Sequence, residues 1–316
     1  MNFIETVMKA SPVITEGAII ERIRRDASVQ LDPYIMHAGL IYEAEGRKAL
    51  EKLYRQYLDI GRAYDLPIIT CTPTWRANPD RISHAGFKKD EDVNGDCFRF
   101  LSAIRSEYGE YAKQIFIGGL IGNKGDAYSP VNALSEDESA SFHLFQVKSL
   151  FEAGVDFLIA VTLPAASEAV GMAKAMAACG LPYILSFVVR SPGLLLDGTP
   201  IHEVVAKIDA VVNPEPFCYM INCVHPTIFE AVFKFESGIS EIIGDRVLGF
   251  QANTSSLSPE ELEGSFQLET EDPDIFAESM IYLCKRFGTK ILGGCCGTDN
   301  RHIESLAKRI IIKNDN

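Results

Sequence analysis

Eight short apolar runs recur along the chain, and each is followed by a stretch of helical composition. The runs begin at Val13-Ile14-Thr15 and continue through Pro67–Cys71, Ile115–Gly119, Val155–Val161, Tyr183–Val188, Tyr219–Cys223, Arg246–Gln251 and Lys290–Leu292. Alternation of this kind specifies parallel strands joined by crossover helices. The fourth run, Val155-Asp156-Phe157-Leu158-Ile159-Ala160-Val161, is almost entirely apolar. Strands covered on both faces read this way, whereas half-exposed strands alternate with polar residues. The helical stretches carry their own signals. Leu50, Leu53, Tyr57 and Leu58 share one face of a helix between Tyr42 and Ala63, and Ser135 with Glu138 forms a capping box. Residues 18–40 and 72–95 show no such pattern and are expected to be loops. A long acidic loop is expected over 252–272.

The eighth run leads into Gly293-Gly294-Cys295-Cys296-Gly297-Thr298, and the sixth ends at Cys223. Glycines permit backbone angles and close approaches that a side chain blocks. Adjacent cysteines make a poor structural bridge. Two thiols fixed at a strand end therefore suggest a metal clamp, although a buried, inert pair is the alternative. A third thiol at a matching strand end extends the pattern to a three-cysteine site with one position open, as expected of a catalytic zinc. Strands six and eight must then meet, as they do when a sheet closes. A Gly-x-Gly-x-x-Gly turn, the mark of a doubly wound nucleotide-binding sheet, is absent after the first run. Both points favour an α/β fold of the (β/α)8 TIM-barrel type over an open sheet. A single barrel domain spanning 1–316 is expected, since barrels of this length are commonly one unit.

Composition excludes several classes of function. A net charge of −13 argues against nucleic acid and anionic membrane as partners. No run reaches the 18 or so apolar residues of a membrane span. The eight cysteines are too sparse for a disulfide framework. A reducing cytoplasm, with no signal peptide, is the expected setting.

These motifs carry a resemblance. Gly293–Thr298 with Asn222-Cys223, together with Leu134-Ser135, Phe142-His143, Ala153–Leu158 and Leu196–Pro200, resembles the homocysteine S-methyltransferase family over about residues 13–310. The resemblance implies an S-methyltransferase barrel whose zinc is held by Cys223, Cys295 and Cys296. It implies a small-molecule thiol as acceptor, homocysteine giving methionine, and a separate methyl donor. Zinc makes a coordinated thiol acidic, and the thiolate is the nucleophile. Sulfonium donors such as S-methylmethionine or S-adenosylmethionine need no further domain, and betaine is another family donor; a corrinoid or folate donor would need a separate methyl-carrier protein. A homo-oligomer is left open. In the family two acids hold the amino group of homocysteine. Glu16, followed by Gly17, occupies the first position and Val161 the second. An acceptor other than homocysteine, or a non-catalytic structural or sensory zinc, are the alternative readings. Glu21 is a candidate to compensate for Val161. Asn253, beyond the seventh run, is a further candidate substrate contact, and Trp75 and Phe250 are candidates to line the mouth or the core. His225, two residues past Cys223, is a candidate for a fourth ligand. Cys71, Cys97, Cys179, Cys218 and Cys284 read as packing residues, and His37, His84, His143, His202 and His302 as structural or exposed.

Overall fold

The computed structural model describes residues 2–10, 12–88, 91–234, 239–257 and 270–314. Eight strands form the frame: β1 (Val13–Thr15), β2 (Ile68–Cys71), β3 (Ile115–Gly122), β4 (Phe157–Leu163), β5 (Tyr183–Phe187), β6 (Cys218–Val224), β7 (Val247–Ala252) and β8 (Ile291–Gly294). Each pairs in parallel with its successor. β8 returns to β1, with Val13 opposite Ile291 and Ile14 opposite Leu292, so the sheet closes and the open-sheet alternative falls.

The two-sided apolar character of the strands follows from closure. Side chains alternate across a strand. Phe157 and Ile159 of β4 therefore point inward with Val13, Ile69, Ile184, Met220 and Ile291. Leu158 and Ala160 point outward into the larger cluster beneath the helices. By the same parity Val161 belongs to the inward set.

A helix that sequence periodicity did not announce, Phe3–Lys9, closes the end of the barrel where the strands begin. Phe3 stacks on Phe157 at 4.0 Å and meets Phe116 and Phe217 edge-on. The mouth at the strands' C-terminal ends is left for function, the usual division in such barrels.

The helix Ala44–Ala63 and the capped helix Glu136–Ala153 form where the pattern places them. The expected loops are less regular than their composition. Residues 18–40 contain a short helix, Ile20–Arg24, and residues 72–95 contain Pro79–His84, capped by Asn78. Both are too short to show a periodic face. The helix expected from Phe98 begins at Val93, because Asp92 caps it through the Gly95 amide. The expected acidic loop lies largely outside the described residues.

Candidate metal centre and substrate cavity

β6 and β8 bring the three cysteines together. The Cys223, Cys295 and Cys296 sulfurs all lie within 4.8 Å of one another, and among the described residues no other group of three potential ligands is so close. Cys223 has φ 56°, a left-handed conformation rare outside glycine. Such strain persists where the surroundings enforce it and collects at functional sites. The structure joins Cys223 to Cys295 as a disulfide, with Cα atoms 5.5 Å apart. The sequence suggested three free thiols, so the ligand set exists in the reduced protein.

The loop that carries Cys295 and Cys296 is fixed from several sides. The Cys295 amide bonds the carbonyl of Ala252 at 2.7 Å. The Cys296 amide bonds Asn253 Oδ1 at 3.0 Å. Gly297 turns the chain at φ 83° and donates its amide to Glu21. The Thr298 hydroxyl donates to the carbonyl of Cys295 at 2.6 Å. A thiol cluster held this rigidly suits a soft metal ion with a tetrahedral preference. Burial, with Glu21 nearby, pushes the Cys296 thiol up to about 12. Thiolate therefore forms there only when a cation displaces the proton, as metal ligation does. The three residues fit a zinc ion.

The cysteines face a cavity of about 280 Å³. Glu16 and Gly17 line it, from the end of β1, as does Val161 from β4. The Glu16 carboxylate takes the Thr70 hydroxyl at 2.5 Å and the Cys71 amide at 3.0 Å. Burial outweighs those bonds and raises its pKa to about 8. Glu16 is thus largely uncharged at neutral pH. Glu21 also faces the cavity, but its carboxylate is committed to the Gly297 amide and, at 3.2 Å, to Arg25.

Val161 is held by its neighbour. Thr162, at φ 57°, gives its amide to Asn222 Oδ1 at 3.0 Å, and Asn222 Nδ2 donates to the Thr162 hydroxyl at 2.8 Å. Ser186 donates to the same Asn222 oxygen at 2.7 Å. One buried amide so fixes the end of β4 beside Cys223.

Several expectations change. Asn253 does not line the cavity. Its side-chain oxygen accepts the Cys296 amide instead. His225 is turned to Thr227 and does not join the cysteines. Trp75 lines the cavity, whereas Phe250 packs at 4.3 Å on Phe229 outside the barrel. Cys71 and His37, read as packing or structural residues, stand in the cavity wall. Tyr54, Thr72, Tyr128, Asn222 and Gln251 were missed. Only Asn222 had a signal, its place beside Cys223.

Residues 13–310 match the homocysteine S-methyltransferase family model. Homocysteine S-methyltransferase of Escherichia coli (strain K12) is 28% identical over 189 residues, which cover 59% of this chain and 56% of that protein. Betaine–homocysteine S-methyltransferase 1 of Bos taurus is 22% identical, covering 98% of this chain and 74% of that protein. The crystal structure of the homocysteine methyltransferase MmuM from Escherichia coli in its metallated form superposes with TM-score 0.75 at 20% identity, covering 96% of this chain and 98% of that one. The chain spans about half the length of the bacterial curated relative.

Proposed function

The chain belongs to the homocysteine S-methyltransferase family, and from that premise we propose that it is an S-methyltransferase that moves a methyl group to a thiol, homocysteine in the first instance, at a zinc ion held by Cys223, Cys295 and Cys296. The observation that carries this reading is the convergence of those three sulfurs, from two strand ends, on the wall of one cavity. Zinc bound there would acidify a thiol at its open position and so supply the nucleophilic thiolate.

The protein's own residues do the rest. Asn253, Glu21 and Thr298 hold the Cys295–Gly297 backbone so that both ligands present themselves together. Asn222 fixes the opposite wall through Thr162. Buried side chains keep the cavity mostly apolar, which strengthens electrostatic interactions within it. Glu16 is the one carboxyl placed to meet an amino group from the first strand, and it would have to ionise to do so.

The reading is tested on reduced protein loaded with cobalt in place of zinc. Homocysteine should change the visible absorption spectrum as its sulfur enters the open position. Methyl transfer should follow with S-methylmethionine, S-adenosylmethionine or betaine. A spectrum unresponsive to any thiol would mark a closed, structural site and end the proposal.

A further inference from the structure

A buried acid–imidazole pair stands behind the cavity wall and takes no part in the ligation described above. Glu168 lies in the first turn of the helix Ala166–Ala177 and His143 on the helix Glu136–Ala153, both side chains fully buried. His143 Nε2 bonds Glu168 Oε1 at 3.0 Å, and the same oxygen accepts the backbone amide of Lys124 at 2.7 Å. The two helices are joined without this pair. Ser139 donates to the Glu168 carbonyl at 2.7 Å, and only glycine at 171 fits, since a Cβ there would stand 2.3 Å from the Glu136 carbonyl. What the pair adds is a hold on the loop after β3. A buried carboxyl is costly unless its hydrogen bonds are made, so the Lys124 amide is firmly tethered.

The other side of that loop supports the cavity wall. The carbonyls of Asn123 and Gly125, which flank the tethered amide, accept Arg76 Nη1 at 3.1 and 2.6 Å. The Arg76 guanidinium covers the Trp75 ring at 4.0 Å, and Trp75 lines the cavity. Arg76 is 7% exposed. Burial, with Arg81 nearby, pulls its pKa down to about 10, and the charges of Asp126 and Glu168 act the other way. Asn123 Nδ2 donates to the Asp126 carbonyl at 2.8 Å. Asp126 Oδ1 takes the amide of Tyr128, a second lining residue, at 2.9 Å. Resting on the reading that methyl transfer takes place in this cavity, we propose that Glu168, backed by His143, is a positioning residue for that reaction. It holds residues 123–125 against Arg76 and so seats Trp75 and Tyr128 in the cavity wall.

Trp75 is the one tryptophan of the chain, so its fluorescence reports the seat directly. In reduced, zinc-loaded Glu168→Gln the emission should move to the red and acrylamide quenching should increase, with zinc content unchanged. KM for the thiol should rise ~10-fold or more while kcat stays within about threefold. His143→Leu leaves the Lys124 bond but removes its backing. It should move both readouts the same way, and it decides the question if Glu168→Gln does not fold. Arg76→Lys approaches the loop from the other side, so its effect on KM should not add to that of Glu168→Gln. Tyr111→Phe is the control for lost stability: it breaks a 2.6 Å bond to the Leu66 carbonyl, at the end of the barrel away from the mouth. It should lower the urea midpoint and move neither readout. The proposal is overturned if the tryptophan signal or KM stays unmoved, if Glu168 and Arg76 effects add in full, or if Tyr111→Phe reproduces them. Any of these, with normal transfer by the unmodified protein, removes this proposal alone. If the unmodified protein transfers no methyl group from any donor, the reading of the cavity fails and takes the proposal with it.

Discussion

Replacing Glu16 by glutamine should make the protein more stable in weak alkali. The carboxyl is 7% exposed, and burial raises its pKa from 4.5 to about 8. The folded state therefore binds this proton more tightly than the unfolded state does. Stability from Glu16 is fully present below pH 4.5 and is lost as pH rises towards 8. At roughly 1.36 kcal/mol for each tenfold in proton affinity, the full loss is up to about 5 kcal/mol. That is a large part of the 5–15 kcal/mol typical of a folded domain. Between pH 5 and 8 the unfolding free energy of the unmodified protein should fall relative to Glu16→Gln by about 1.4 kcal/mol per pH unit. Near pH 5 the variant should be equal or slightly weaker, because its amide oxygen can keep the Thr70 hydroxyl and the Cys71 amide, but its NH2 then faces the Cys71 amide, which also donates to the other oxygen of Glu16. Urea unfolding of both proteins across this range, under reducing conditions, measures the difference; other titrating groups are common to both and cancel. Curves that stay parallel to within about 0.5 kcal/mol would show that Glu16 is charged in the folded protein and refute the reasoning.

Cys223→Ala, Cys295→Ala and Cys296→Ala should each lower zinc content and abolish methyl transfer while far-ultraviolet circular dichroism stays that of the barrel; full activity in any one removes that residue from the site. Zinc affinity should weaken from pH 8 to 5.5, since thiols give up protons to ligate, and an affinity constant over that range would contradict a three-thiolate site. Asn222→Ala removes three hydrogen bonds and leaves the buried Thr162 amide unmet, so it should destabilise the fold by about 2–5 kcal/mol; a urea midpoint indistinguishable from the unmodified protein would show that Thr162 needs no such clamp.

The eight strands, most of the long helices and the cysteine motif are legible in the sequence because their causes are local. A strand buried on both faces must be apolar throughout, as Phe157 to Val161 is, and a capping box such as Ser135–Glu138 announces its helix within four residues. Short helices such as Ile20–Arg24 and Pro79–His84 are too brief to carry a period, so pattern alone reads them as loops.

What tertiary structure decided is which side chains meet across the mouth. Cys223 and Cys295 are 72 residues apart and become neighbours only through barrel closure. Asn253 sits beyond a strand end, as a substrate contact would, yet the Cys296 amide claims its side chain. His37 lies in a stretch without pattern, and nothing local indicates that folding will bury its ring in the cavity wall with Nδ1 unbonded. The same holds for Glu16: its position is readable from the first strand, but its protonation is set by burial beside Thr70 and Cys71. Periodicity records which face of an element is buried. It does not record what that face will touch, and the chemistry of this site depends on those contacts.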